Sequence, residues 1–71
     1  MEYTVIIHKE KGRGYWAEVP ALDGCFSQGA TVDTILKNVQ RAIKSHLIAL
    51  KSEGRKIPKD DIIIFSRVKA A

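Results

Sequence analysis

Val32-Asp33-Thr34-Ile35-Leu36-Lys37-Asn38-Val39-Gln40-Arg41-Ala42-Ile43-Lys44-Ser45-His46-Leu47-Ile48-Ala49-Leu50 is the stretch that decides the fold. Its apolar side chains Val32, Ile35, Leu36, Val39, Ala42, Ile43, Leu47 and Leu50 recur at steps of three and four, which draws one face of an α-helix. Thr31 stands where an N-cap belongs, and Asp33 puts a carboxylate at the positive end of the helix dipole. Lys51 and Ser52 fill the last turn, and Gly54 offers the left-handed residue that stops a helix.

Upstream the period changes from 3.6 to 2. Between Glu2 and Lys9, Tyr3, Val5 and Ile7 alternate with Thr4, Ile6 and His8, which predicts a strand; Ile6 implies that the second face is partly covered. Glu10-Lys11-Gly12-Arg13-Gly14 suits a hairpin loop. Its Gly-x-Gly is no phosphate loop, because a strand and not a helix follows. The second strand, Tyr15 to Val19, sets Tyr15, Ala17 and Val19 against Trp16 and Glu18 on the other face, and Pro20 ends it for lack of an N–H. Residues 21–24 turn the chain into a third strand, Cys25 to Gln28, closed by Gly29.

Downstream, Arg55-Lys56-Ile57-Pro58 crosses to a last predicted strand, Ile62 to Val68. There Ile62, Ile64, Ser66 and Val68 alternate with Ile63, Phe65 and Arg67. The order is βββαβ, an α+β chain with an antiparallel sheet packed on one helix. No repeat or linker intervenes, so residues 1–71 are expected to be a single domain.

Seventy-one residues bury a modest core, and chains of this size often lean on a metal, disulfides or another subunit. With Cys25 as the only cysteine, neither an internal disulfide nor a cysteine-rich zinc site can be built. Self-association is the expected stabiliser, as a dimer or tetramer. Nothing at the N-terminus reads as a signal peptide, and the longest weakly charged run, Val19 to Val32, is broken by Pro20, Gly24 and Gly29. A reducing cytoplasm and no membrane contact are the expectation.

Candidate catalysts are few. His8 and His46 are the only histidines and lie far apart in the pattern, one on a strand and one at the edge of the helix's apolar face. Neither has a partner at ligand or acid–base spacing. Cys25 lacks the helix start that activates a thiolate and reads as a buried structural residue. Glu18 is the one acid well inside a predicted strand, too few for two-metal phosphoryl chemistry. No catalytic, cofactor or metal residue is assigned, and the expected role is binding.

The formal net charge is +4, from twelve basic and eight acidic residues. On the helix face away from the apolar stripe, Lys37, Arg41, Lys44 and Lys51 surround Ile48. Three readings fit: a solvated face, a protein contact centred on Ile48, or a track for phosphates.

The segments Tyr15-Trp16-Ala17-Glu18-Val19-Pro20, Leu22-Asp23-Gly24-Cys25, Ser27-Gln28-Gly29-Ala30-Thr31 and Ile57-Pro58, with Asn38 and Ala42 on the helix, together resemble the HicB antitoxin family over nearly the whole chain. The resemblance implies a βββαβ partial RNase H-like fold without the catalytic acids of RNase H. It also implies the neutralising half of a toxin–antitoxin pair, which binds a small mRNA-cleaving ribonuclease, HicA, and covers its active site. Proteins of this kind assemble through sheet edges. The chain departs from the pattern in three ways. No separate C-terminal DNA-binding domain is expected after Val68, Ala30, Thr34 and Lys37 stand where acids are frequent, and the net charge is positive. The expected toxin contacts are Trp16, Glu18 and Asp23, an aromatic anchor beside acids that suits a basic partner. For Trp16 a core position is the competing reading. The alternative function is a small nucleic-acid-binding protein using the basic helix face, with weak binding at most.

Overall fold

The computed structural model describes all 71 residues. Strands β1 (Ile6–Lys9), β2 (Tyr15–Glu18) and β3 (Phe26–Gly29) lie side by side in chain order as an antiparallel sheet, and α1 (Val32–Ser52) follows. Glu10 N–H donates to Gly14 O at 3.0 Å and closes the first hairpin. That closure pairs Lys9 with Tyr15, and the register His8↔Trp16, Ile7↔Ala17 and Ile6↔Glu18 follows from it. Because strand side chains alternate between faces, Ile7, Ala17 and Ser27 share the inner face. Ile6, His8, Trp16, Glu18, Phe26 and Gln28 share the outer one.

The helix covers the inner face. Ile35, Val39 and Leu50 meet Ala17, Val19, Leu22 and Cys25, and these seven are the only buried residues. Tyr3, Val5, Ile7, Tyr15, Ala42, Ile43 and Leu47 pack around them. The expected helical stripe is therefore the buried face, except that Val32 and Leu36 sit at its margin, 43% and 46% exposed.

Both helix ends are capped as the residue types require. Thr31 is extended (φ −131°, ψ 165°), and its hydroxyl accepts from the Thr34 N–H at 3.1 Å. At the other end Gly54 takes φ +70°, its N–H reaching Lys51 O while Arg55 N–H reaches Leu50 O. This crossed pair satisfies carbonyls that the helix leaves unpaired. Gly29 works differently. It joins sheet to helix where the two are so close that an added Cβ would lie 2.7 Å from Ile35 N.

Two expectations about strands are corrected. β1 begins at Ile6 and not at Glu2, because in this register Thr4 falls opposite Pro20, which has no N–H to offer and already belongs to the turn. Thr4 finds another partner: its N–H and hydroxyl donate to the two Asp60 carboxylate oxygens at 2.8 and 2.7 Å. Tyr3 OH donates to Pro58 O at 2.6 Å beside it. The second correction concerns Ile62 to Val68, which forms no strand, so the observed order is βββα within the expected α+β class. A strand exists only when a neighbour supplies its ladder. No residue beyond Arg55 takes part in a backbone–backbone hydrogen bond.

Candidate partner-binding surface

The outer face of the sheet has no layer over it, and it is where the unusual side chains gather. The His8 ring stacks on Trp16 across the strand pair, centroids 4.1 Å apart and planes 13° off parallel. Trp16 also meets Phe26 on the next strand at 6.2 Å and a 47° tilt. His8 Nε2 lies 2.6 Å from Glu18 Oε2. A carboxylate only accepts, so Nε2 carries the hydrogen. Glu18 is thus held in place between β1 and the aromatic row while its side chain stays 32% exposed.

Phe26 is 60% exposed. Trp16 is half-buried and outside the core, its shelter coming from His8 and Phe26 and not from the helix. Both Trp16 and Glu18 therefore lie on the face where strand alternation placed them. Asp23 is exposed on the turn after β2. Buried Leu22 anchors that turn, with its N–H on Val19 O at 2.9 Å and its carbonyl accepting from Cys25 N–H at 3.1 Å. Trp16 and Glu18 thus share the outer face of the sheet, and Asp23 stands on the turn that follows the Glu18 end of β2.

From the sequence His8 is weighed only as a catalyst or ligand, and Phe26 is not singled out; the structure puts both beside Trp16. The signal was present in the hairpin: once Glu10 to Gly14 is the loop, counting back pairs Lys9 with Tyr15 and His8 with Trp16.

Lys37, Arg41, Lys44, Ile48 and Lys51 lie along α1, and Ile48 is 69% exposed. The helix lies between this stripe and the sheet, so the two surfaces face opposite ways. His46 is half-buried on the same helix. Cys25 is buried, and burial pushes its thiol up, away from thiolate chemistry. An open cleft of about 540 Å³ at the hairpin end of the sheet is lined by Glu10, Arg13, Tyr15 and Gln28 among others, away from Asp23. No helix is long and apolar enough to cross a membrane.

This arrangement has known counterparts. Residues 3–68 match the family model described as HicB_like antitoxin of bacterial toxin-antitoxin system. A UPF0150 protein of Thermoplasma acidophilum is 46% identical over 61 residues, covering 86% of this chain and 88% of that protein. One from Synechocystis is 40% identical over 62 residues, covering 87% and 78%. Among solved structures, a chain of the HicA3 and HicB3 toxin-antitoxin complex superposes with a TM-score of 0.66 at 36% identity. The superposition takes in 79% of this chain but only 64% of that one. A match spanning all but a few terminal residues, on the same strand and helix order, means that this chain belongs to the HicB-like antitoxins of bacterial toxin-antitoxin systems.

Proposed function

We propose that this chain is the antitoxin of a type II pair, which binds a HicA-like mRNA-cleaving ribonuclease and silences it by covering it, without cutting RNA itself. The observation that carries the reading is the uncovered outer sheet face, where Trp16, steadied by His8 and Phe26, stands beside Glu18. Interfaces draw their energy from such half-sheltered aromatic anchors, and acids beside them suit a basic, RNA-handling partner. Asp23, exposed on the turn after β2, is the second acid of the proposed contact. Covering an active site takes roughly 800 Å² per partner, which one sheet face and its turns can present. The protein acts in the cytoplasm as a homo-oligomer.

Co-expression tests this. The chain should restore growth to cells making the adjacent toxin, and Glu18→Lys with Asp23→Lys should lose that rescue while keeping a native circular dichroism spectrum. A toxin that stays fully active in vitro beside excess folded wild-type chain would remove the reading.

The second reading, nucleic-acid binding, rests on the basic stripe Lys37, Arg41, Lys44 and Lys51 along α1. It requires affinity that falls by roughly a decade or more between low and physiological salt. A salt-resistant, sequence-specific complex would put it first.

A further inference from the structure

The hairpin end of the sheet brings together a cleft, free cations and a row of rings. The cleft of about 540 Å³ is lined by Glu10, Arg13, Tyr15 and Gln28, while Gly14 and Gly29 contribute backbone alone. Its size falls within the range of small-ligand sites, about 300–1,000 Å³. Gly14, at φ +65°, approaches Gly29 so closely that an added Cβ would lie 2.9 Å from Gly29 O.

Cations stand free beside it. Lys11 and Arg13 are exposed on the hairpin loop, and the ion pairs of the chain, His8 with Glu18 and Arg55 with Glu53, involve neither. Lys9 is already placed, its Nζ 4.6 Å from the centroid of the Tyr15 ring. That cation covers one side of Tyr15 and leaves stacking to the rings of the outer face.

Gln28 joins the cleft to that face, because it lines the cleft and is the ladder partner of Trp16. Next to it His8, Trp16 and Phe26 form a row with no layer over it, Phe26 being 60% exposed. Aromatic side chains on an uncovered antiparallel sheet stack bases that are not already paired, and nearby cations hold the connecting phosphates. Glu10 selects the kind of strand. A carboxylate beside phosphates repels them unless it accepts a hydroxyl hydrogen, and a ribose 2′-hydroxyl supplies that donor where deoxyribose has none.

We infer that the hairpin cleft and the aromatic row together bind a short segment of single-stranded RNA. Unpaired bases lie on Trp16 and Phe26, the strand turns past Gln28, Lys11 and Arg13 hold its phosphates, and Glu10 accepts from a ribose hydroxyl. The basic stripe on α1 is a different surface, whose Lys37, Arg41, Lys44, Ile48 and Lys51 include no ring to stack a base. Trp16 is shared with the proposed toxin contact, so RNA and toxin exclude each other there. That exclusion rests on the antitoxin reading, whereas RNA binding is tested on the chain alone and its failure leaves that reading standing.

Trp16 is the only tryptophan, so its emission reads the site directly. Titrating the full chain with a uridine hexamer at low salt should quench that emission to saturation, and a deoxyuridine hexamer should bind several-fold more weakly. With two phosphates held, affinity should fall roughly sevenfold from 50 to 200 mM salt, against roughly fifty-fold if the four cations of α1 were the site. Lys11→Gln with Arg13→Gln should weaken binding tenfold or more at an unchanged melting temperature, since both side chains are exposed. Glu10→Ala should erase the preference for RNA. Emission unmoved by millimolar RNA, with the toxin the only partner that shifts it, overturns the inference. So does equal affinity for the two hexamers, or a complex that survives the loop variant and is lost when Lys37, Arg41, Lys44 and Lys51 are replaced.

Discussion

The backbone nitrogen of Ile35 lies 2.7 Å from where a β-carbon on Gly29 would stand, with Ile35 Cα at 2.9 Å. Gly29 has no positive φ; what it provides is room for the first turn of α1 to sit against the end of β3. Gly29→Ala should push helix and sheet apart and cost about 1–3 kcal/mol, as overpacking does. For a chain of this size each kcal/mol lowers the melting temperature by about 4–8 °C. A Gly29→Ala variant that melts with the wild type would show that the contact yields without strain.

Thr31→Ala removes the hydroxyl that accepts from Thr34 N–H at 3.1 Å. The loss should be about 1 kcal/mol, and Thr31→Ser should recover most of it, since either hydroxyl serves as a cap. Paired denaturant titrations check both, with an unchanged slope marking a pure stability effect.

Asp60 ties the C-terminal arm to residue 4, and the two bonds from Thr4, first its N–H and then its hydroxyl, hold the carboxyl below the usual carboxylate range. A carboxyl lowered in the folded state stabilises above its unfolded value and loses that contribution as pH falls through the folded one. The arm's attachment should therefore be intact at neutral pH and released in acid, below the ordinary carboxylate value of 3.8. Asp60→Asn should flatten that acid-side dependence. Following the Thr4 amide by NMR against pH measures it, and an Asp60 titrating at the ordinary value would contradict the assignment.

Trp16→Ala should separate recognition from folding. Trp16 is outside the buried core, so truncation forfeits its rings' contacts with His8 and Phe26, about 0.5–1.5 kcal/mol per aromatic pair, and the fold survives. Toxin affinity should fall more, about 2 kcal/mol or roughly 30-fold, if Trp16 is the anchor. Calorimetric titration with the toxin decides it. An affinity within twofold of wild type would leave Trp16 a supporting residue only.

Periodicity made α1 legible, because Ile35, Val39 and Leu50 had to share a side whatever they packed on. Strand alternation made the two faces of β2 legible for the same reason. Ile62 to Val68 was not, since its pattern shows that it can be a strand and says nothing of whether an edge is there to receive it. The part played by Gly29 also escaped: a sequence announces glycine's backbone freedom, whereas this one answers to how near a helix passes. His8 looked idle because its partners, Trp16 and Glu18, are eight and ten residues away and meet it only through the hairpin register.

The bonds from Tyr3 to Pro58 and from Thr4 to Asp60 span 55 and 56 residues, whereas the strand pairs join residues no more than 14 apart. Contacts close in sequence form first, because short loops cost less entropy to shut. During synthesis the meander and then α1 can assemble as the chain emerges, but the clamp must wait for residue 60. The fastening of the two chain ends is thus the last step of folding, and the segment beyond it takes its direction only after the rest is built.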